Sequence, residues 1–371
     1  RAHLLLAAAP FLGTAWRDAT FEFTKVLTGQ AQQPPSWRRC TSAVDGEIGE
    51  ALGQVYVAQV FPPESKERAL KMVRDIEAAM GRDIDAVTWM QPATKKEAHM
   101  KLAAVINKIG YPDRWIDYDS LSITRDSYPL NVERSTAFEL KRQLSFIGKP
   151  LDRTQWTMTP PTVNAYEDPQ SNTINFPAGM LQPVYFDAQQ DDVVNYGAEG
   201  AVVGHELTHD FDDQGRKFDV KGNLRDWWTT EDAKAYDERG ACIANEYTVP
   251  VPGVPGATQN GKLTQGEDTA DNGGIYLALS ALSEDMKEKS RTLDDKDDHG
   301  LTNLQRFFIA YGTEWCDTFR PELMKTLVKI DPHSMPELRV NNVLANMPEF
   351  QKAFSCKAGQ PMVHETRCRV W

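Results

Sequence analysis

The chain has no run of about 18 apolar residues, so no segment reads as a membrane-spanning helix. It also lacks an excess of positive charge. Lysine and arginine together number 41 against 53 aspartates and glutamates, and the net charge of −12 argues against a nucleic-acid binder relying on a broad basic surface. No internal repeat or low-complexity tract is evident. With 41% hydrophobic and 25% charged residues, the composition excludes a disordered or collagenous chain. Cysteines are few and odd in number. Five of them, spread over 371 residues, make neither a disulfide miniprotein nor a clustered metal knuckle, and at least one lacks a partner within the chain. At about 150 residues per domain, the length suggests two or three domains or one large irregular one.

The opening segment, Arg1 to Pro10, superficially resembles a signal peptide. Its apolar stretch is short and cut by Pro10, so it reads instead as an internal helix exposed by truncation or processing. From Glu64 to Gly110 the spacing is helical: Leu70, Met72, Val73, Ile76 and Met80 form an apolar stripe, and a second helix starts at Thr94 after Pro92. Residues 109–129 read as a loop or domain seam, and another helical stretch runs from Val132 to Phe146. Thr162–Tyr166 and Thr173–Phe176 read as short strands around a turn containing Asp168, Pro169 and Asn172. Helices are expected over Gly197–Phe211 and Leu263–Leu282. Val249–Gly261 reads as a loop, and the acidic Asp294–Asp298 as a solvated one. The expected architecture is helix-rich with one small sheet.

The most informative local pattern is His205-Glu206-Leu207-Thr208-His209. Residues four apart on a helix stand one turn above each other, so both imidazoles can reach one metal ion. Glu206 lies about 100° round the helix, beside such an ion. This spacing suits zinc carrying a water, with a carboxylate ready to take that water's proton. Catalytic zinc takes three protein ligands and leaves a fourth position for water. A histidine six residues past His209 would mark one class of third ligand, but that position is Gly215. An acidic ligand is therefore needed, and Glu231, Glu238, Glu246 and Glu267 are the nearest downstream glutamates. Glu231 reads as a first-turn residue of a helix, a structural role. Glu267 and Asp271 lie one turn apart on one face, so one can bind metal while the other orients a ligand imidazole.

Further pieces make the chain recognisable. They are Val163-Asn-Ala-Tyr166, Phe176-Pro-Ala-Gly179, Phe211-Asp-Asp-Gln-Gly-Arg216, Asp226-Trp-Trp228, Ala270-Asp-Asn-Gly-Gly274, Arg320-Pro321, Asp331-Pro-His-Ser334 and Cys368-Arg-Val-Trp371. In this order, with the histidine motif, the chain resembles the C-terminal half of the neprilysin family of zinc metallopeptidases. The resemblance implies a thermolysin-like zinc peptidase core over residues 106–371 and part of a helical cap over residues 1–105. It implies one Zn2+ held by His205, His209 and Glu267, with Glu206 as general base and proton shuttle. Asp271 and Asp212 would orient the two histidines, His333 would stabilise the oxyanion, and Arg339 would bind a substrate carbonyl. Asn164 and Ala165 match a substrate-clamping edge strand. Met180, Tyr185, Ala201, Val202 and Trp315 match an apolar pocket for the residue after the scissile bond.

The implied reaction is endopeptidase cleavage of oligopeptides on the amino side of hydrophobic residues. A dipeptide-releasing exopeptidase and a zinc-stabilised, non-catalytic binding protein are the alternatives. Three positions depart from the family pattern: Glu167 replaces a frequent tyrosine, Glu314 an apolar pocket residue, and Asp210 a common glycine. By the same resemblance Cys242 pairs with Cys368. Cys40, Cys316 and Cys356 match positions whose partners lie in the family's N-terminal half, expected here as a companion polypeptide. Disulfides of this kind imply an extracytoplasmic protein, secreted or periplasmic, or anchored to a membrane by a segment further upstream.

Overall fold

The structure, a computed structural model, describes Ala9 and residues 12–371. The reading of the opening segment as an exposed internal helix falls, Ala9 apart, outside these residues. The N-terminal part contains helices α1 (Thr14–Thr28), α2 (Ser36–Val60), α3 (Pro63–Ala86) and α4 (Pro92–Leu102), then strand β1 (Ile106–Gly110). Helix α5 (Tyr128–Leu144) and strands β2 (Tyr166–Asp168) and β3 (Thr173–Pro177) follow. The remainder is helical: α6 (Asp192–Gly197), α7 (Glu199–His209), α8 (Thr230–Glu246), α9 (Gln265–Glu288), α10 (Asn303–Glu314), α11 (Pro321–Ile330), α12 (Pro336–Ala345) and α13 (Pro348–Phe354). No helix among the described residues is long and apolar enough to cross a membrane.

Helix α3 starts where the sequence places it. Pro63 occupies the first turn, Glu64 complements the helix dipole, and Met72, Val73, Ile76 and Met80 are buried on one face. That face packs into a continuous core with Ile174 and Phe176 of β3, Val203 and Leu207 of α7, and Ile275, Leu279 and Leu282 of α9. The core closes at the C-terminal residues. Trp371 is buried against Trp89 and Phe211, the Trp89 indole N–H donates to the Val370 carbonyl (3.0 Å), and Cys242 of α8 is disulfide-bonded to Cys368.

The sheet has the order β1-β3-β2, with β1 parallel to β3 and β2 antiparallel to it. Three expectations are corrected here. The helical spacing does not continue to Gly110: residues 106–110 form β1, because Ile106 to Gly110 pair with Thr173 to Pro177 far along the chain. The first hairpin strand is Tyr166–Asp168 rather than Thr162–Tyr166, since Asp168 pairs with Thr173 directly across the short turn in which Asn172 takes φ 50°. The apolar helix is interrupted at Ala198 (φ −93°, ψ −93°), so α6 and α7 are separate elements. The loop at 249–261 and the acidic turn at 294–298 lie where expected, and α9 runs six residues beyond Leu282.

Asp191 ties helices α6 and α10 to the segment that follows α9. It caps α6 through the Val193 N–H (3.3 Å) and receives Arg291 (3.0 and 3.1 Å) and Arg306 of α10 (2.8 Å). Burial works against its charge, but Arg291 and Arg306 hold its carboxyl well below the usual carboxylate range. A carboxylate depressed in the folded state stabilises above its unfolded pKa and loses that contribution as pH falls through the folded value. Asp191→Asn should therefore cost about 1–2 kcal/mol near neutrality. In thermal melts across pH, the gap to wild type should close as pH falls below about 4; a gap independent of pH would contradict this.

Candidate active site

Two helices build the site. Helices α7 and α9 cross with their backbones in contact at Gly204 and Gly274: a Cβ on Gly204 would lie 2.4 Å from the Gly274 carbonyl oxygen, and one on Gly274 2.5 Å from the His205 nitrogen. This approach sets His205 and His209 of α7 against Glu267 and Asp271 of α9. His205 Nδ1 donates to Asp271 Oδ1 (2.7 Å) and His209 Nδ1 to Asp212 Oδ2 (2.7 Å). Asp212 is itself fixed, its Oδ1 accepting the backbone N–H groups of Gln214 (2.7 Å) and Gly215 (2.8 Å).

With Nδ1 of each imidazole committed as donor, Nε2 carries the lone pair. The two Nε2 atoms face each other at 2.9 Å, and Glu267 Oε2 lies 3.2 and 3.4 Å from them. That buried oxygen has no hydrogen-bond partner. Three lone-pair atoms turned onto one point repel one another unless a cation, either a proton or a metal ion, lies between them. Tetrahedral zinc with ligands at about 2.0–2.1 Å would space them by about 3.3 Å, close to what is found. The donor set thus fits zinc. Of the other glutamates weighed from sequence, Glu231 sits in the first turn of α8, Glu238 reaches Lys234 at the surface, and Glu246 accepts from Asn346.

The charges around this point are interdependent. Burial opposes ionisation of Glu267, yet His209 and His205 hold its carboxyl well below the usual range. Burial likewise opposes a charged His209, which Glu267 and Asp212 nevertheless raise well above an ordinary histidine. Metal binding would therefore displace protons. Glu206 is buried beside them, and burial lifts its carboxyl above the ordinary range against the pull of His205 and His209.

A cleft of about 570 Å³ opens over the cluster. The structure brings every candidate site residue to its lining: Asn164 and Ala165 at the approach to edge strand β2, the apolar Met180, Tyr185, Ala201, Val202 and Trp315, and His333 and Arg339. His333 Nε2 lies 3.3 Å from Glu267 Oε2, while Asp331 accepts from both its Nδ1 (2.8 Å) and its backbone N–H (2.9 Å). Arg339 stacks on Trp315 (3.9 Å) and is bidentate to Asp271, with both bonds 2.6 Å. The departures Glu167 and Asp210 meet beside Lys101, whose ammonium donates to the carbonyls of Asp210 (2.5 Å) and Gly215 (2.8 Å).

Sequence reasoning missed Asp331 as the orienter of His333, for which the Asp-x-His spacing is a usable signal. It missed Glu199, a buried carboxyl near Glu206, and Tyr311, whose hydroxyl donates to the Arg339 carbonyl (2.7 Å). Asp271 is the hub, touching both His205 and Arg339. Asp271→Ala leaves a buried guanidinium unpaired and should cost about 3–5 kcal/mol in urea unfolding of the metal-free protein. A loss under about 1 kcal/mol, the range of an exposed pair, would contradict this.

Comparison with known proteins places the chain. A family model described as Peptidase family M13 matches residues 164–370, and a second with the same description matches residues 1–112. Neprilysin-1 of Caenorhabditis elegans is 38% identical over 370 residues, covering 97% of this chain and 49% of the relative. Human neprilysin is 35% identical with the same coverage. The crystal structure of the Mycobacterium tuberculosis zinc metalloprotease Zmp1 with an inhibitor superposes with a TM-score of 0.93 at 38% identity, over 99% of this chain and 56% of that one. The chain spans about half the length of the curated relatives it matches. The mainly helical fold with a small sheet is that of these zinc metalloproteases, as the resemblance implied. By the family models and by identity along nearly all of its length, the chain belongs to peptidase family M13.

Proposed function

We propose that this chain is the zinc-binding, catalytic part of an endopeptidase that hydrolyses oligopeptides. The observation that carries this reading is the convergence of three lone-pair atoms from two helices beside Glu206, a buried carboxylate opening on the same cleft. His205, His209 and Glu267 would hold one zinc ion. Bound there, zinc supplies Lewis acidity that polarises a peptide carbonyl and brings the pKa of water toward neutrality.

Glu206 takes the proton of the attacking water and delivers it to the leaving amine, a double task suited to a carboxyl whose proton affinity burial has raised. His333, aligned by Asp331, donates to the carbonyl oxygen as negative charge builds on it. Arg339, anchored by Asp271, presents a fixed positive charge to the same substrate group. Asn164 and Ala165 exchange main-chain hydrogen bonds with an extended peptide laid along the sheet edge, which gives affinity without demanding particular side chains. Met180, Tyr185, Ala201, Val202 and Trp315 supply apolar walls for the residue after the scissile bond, which favours a side chain with a long hydrophobic body.

The Cys242–Cys368 bridge supports an extracytoplasmic location. Cys40 and Cys316 are exposed and Cys356 is half-buried, and all three are free, which supports pairing with cysteines of an N-terminal half of the same enzyme. We place the seam between the cap segment and the catalytic unit nearer residue 61 than residue 105, because α3 shares its buried face with α9.

Glu206→Gln, compared with wild type at matched zinc occupancy on a quenched peptide, should lower kcat by about 10²–10⁴-fold. Removal of zinc by a chelator should abolish turnover in both proteins. Equal rates for the two proteins would sink the mechanism.

A further inference from the structure

Glu314 is the last residue of α10, at the negative end of that helix's dipole, where a carboxylate is disfavoured. It is only 7% exposed, and neither carboxyl oxygen has a hydrogen-bond partner. It lines the cleft together with Met180, Val202 and Trp315. Glu199, fully buried and equally without partners for its side-chain oxygens, lies close enough to act on it. The nearby guanidinium of Arg339 compensates only in part, because its bidentate bond commits it to Asp271. Burial first, then Glu199 and Asp271, push the Glu314 carboxyl well above the ordinary range, with Arg339 and the neighbouring Trp315 indole opposing. An apolar side chain would fill this position at none of these costs.

We infer that Glu314 makes this pocket selective for peptides whose residue after the scissile bond is lysine or arginine. The inference rests on the peptidase reading above and specifies its substrate class. The apolar walls and the acidic group among them together match an amphipathic side chain. Its aliphatic stem would lie against Met180, Val202 and Trp315, and its cationic head would reach the Glu314 carboxyl, which the free chain keeps covered. The ion pair formed there would be a charge-assisted hydrogen bond shielded from water, stronger than one at the surface. A carboxylate on the floor of a specificity pocket selects basic residues in peptidases of unrelated fold for the same reason.

The test uses the zinc-loaded, full-length enzyme and quenched peptides that differ only in the residue after the scissile bond: lysine, arginine, leucine or phenylalanine. Wild type should prefer lysine or arginine to leucine in kcat/KM. Glu314→Val, which makes this position apolar, should lower the lysine-to-leucine ratio by about tenfold or more. Glu314→Gln, which keeps shape but not charge, should lower it as well. In a readout independent of turnover, the zinc-free protein should bind lysyl-leucinamide more tightly than leucyl-leucinamide by calorimetry, and Glu314→Gln should erase the difference. A ratio unchanged in both variants would overturn the inference, and so would a Gln variant that keeps the wild-type preference. Failure of wild type to cleave any of the peptides would instead contradict the peptidase reading itself.

Discussion

The site depends on one backbone contact. Helices α7 and α9 touch at Gly204 and Gly274, where a single methyl group on either residue would meet main-chain atoms within about 2.6 Å. At this distance, side chains that point along the crossing rather than across it can reach a shared point. His205 is the next residue after Gly204, and Asp271 precedes Gly274 by one turn of α9. Short, buried connections from each helix then converge without long side chains spanning the gap. A crossing with larger residues at the contact would hold the helices farther apart, at the usual 8–10 Å between axes or beyond, and the ligand atoms would part with them.

Electrostatics finishes what the crossing begins. Asp271, His205 and Arg339 form a buried chain in which each charge has a partner, and Asp212 plays the corresponding part for His209. These carboxylates do more than neutralise. By accepting the Nδ1 protons they fix which nitrogen of each imidazole faces the cleft, so the tautomer is set before any ligand arrives. Behind this ordered layer lie carboxyls with no such partner, Glu199 and Glu314, whose burial pushes them well above the usual carboxylate range.

The sequence made some of this legible and hid the rest for a consistent reason. His205, Glu206 and His209 declare themselves because their chemistry is local: an i, i+4 pair on a helix needs only helical spacing to be understood. The stripe of α3 and the Glu267–Asp271 pair are legible on the same ground. Long-range pairing is not. Strand β1 gains its identity only from β3, more than sixty residues later, and nothing in Ile106 to Gly110 distinguishes it from the end of a helix. The break at Ala198 depends on packing around α7, and the strand register on the turn that closes it. Glu314 shows the same limit, since its departure from the family pattern is visible in sequence but its burial and missing partners are not. The odd cysteine count, by contrast, was informative: Cys242 and Cys368, 126 residues apart, are bridged and three cysteines are left over.

If the glycine crossing positions the ligands, a substitution there must act on the metal without touching any ligand. The direct measurement is the zinc affinity of Gly204→Ala, by competition with a chromophoric chelator, in protein that still unfolds cooperatively. The expected result is a loss of about 10–100-fold, the size of effect seen when groups supporting metal ligands are displaced. Affinity equal to wild type would contradict the dependence of the site on this contact.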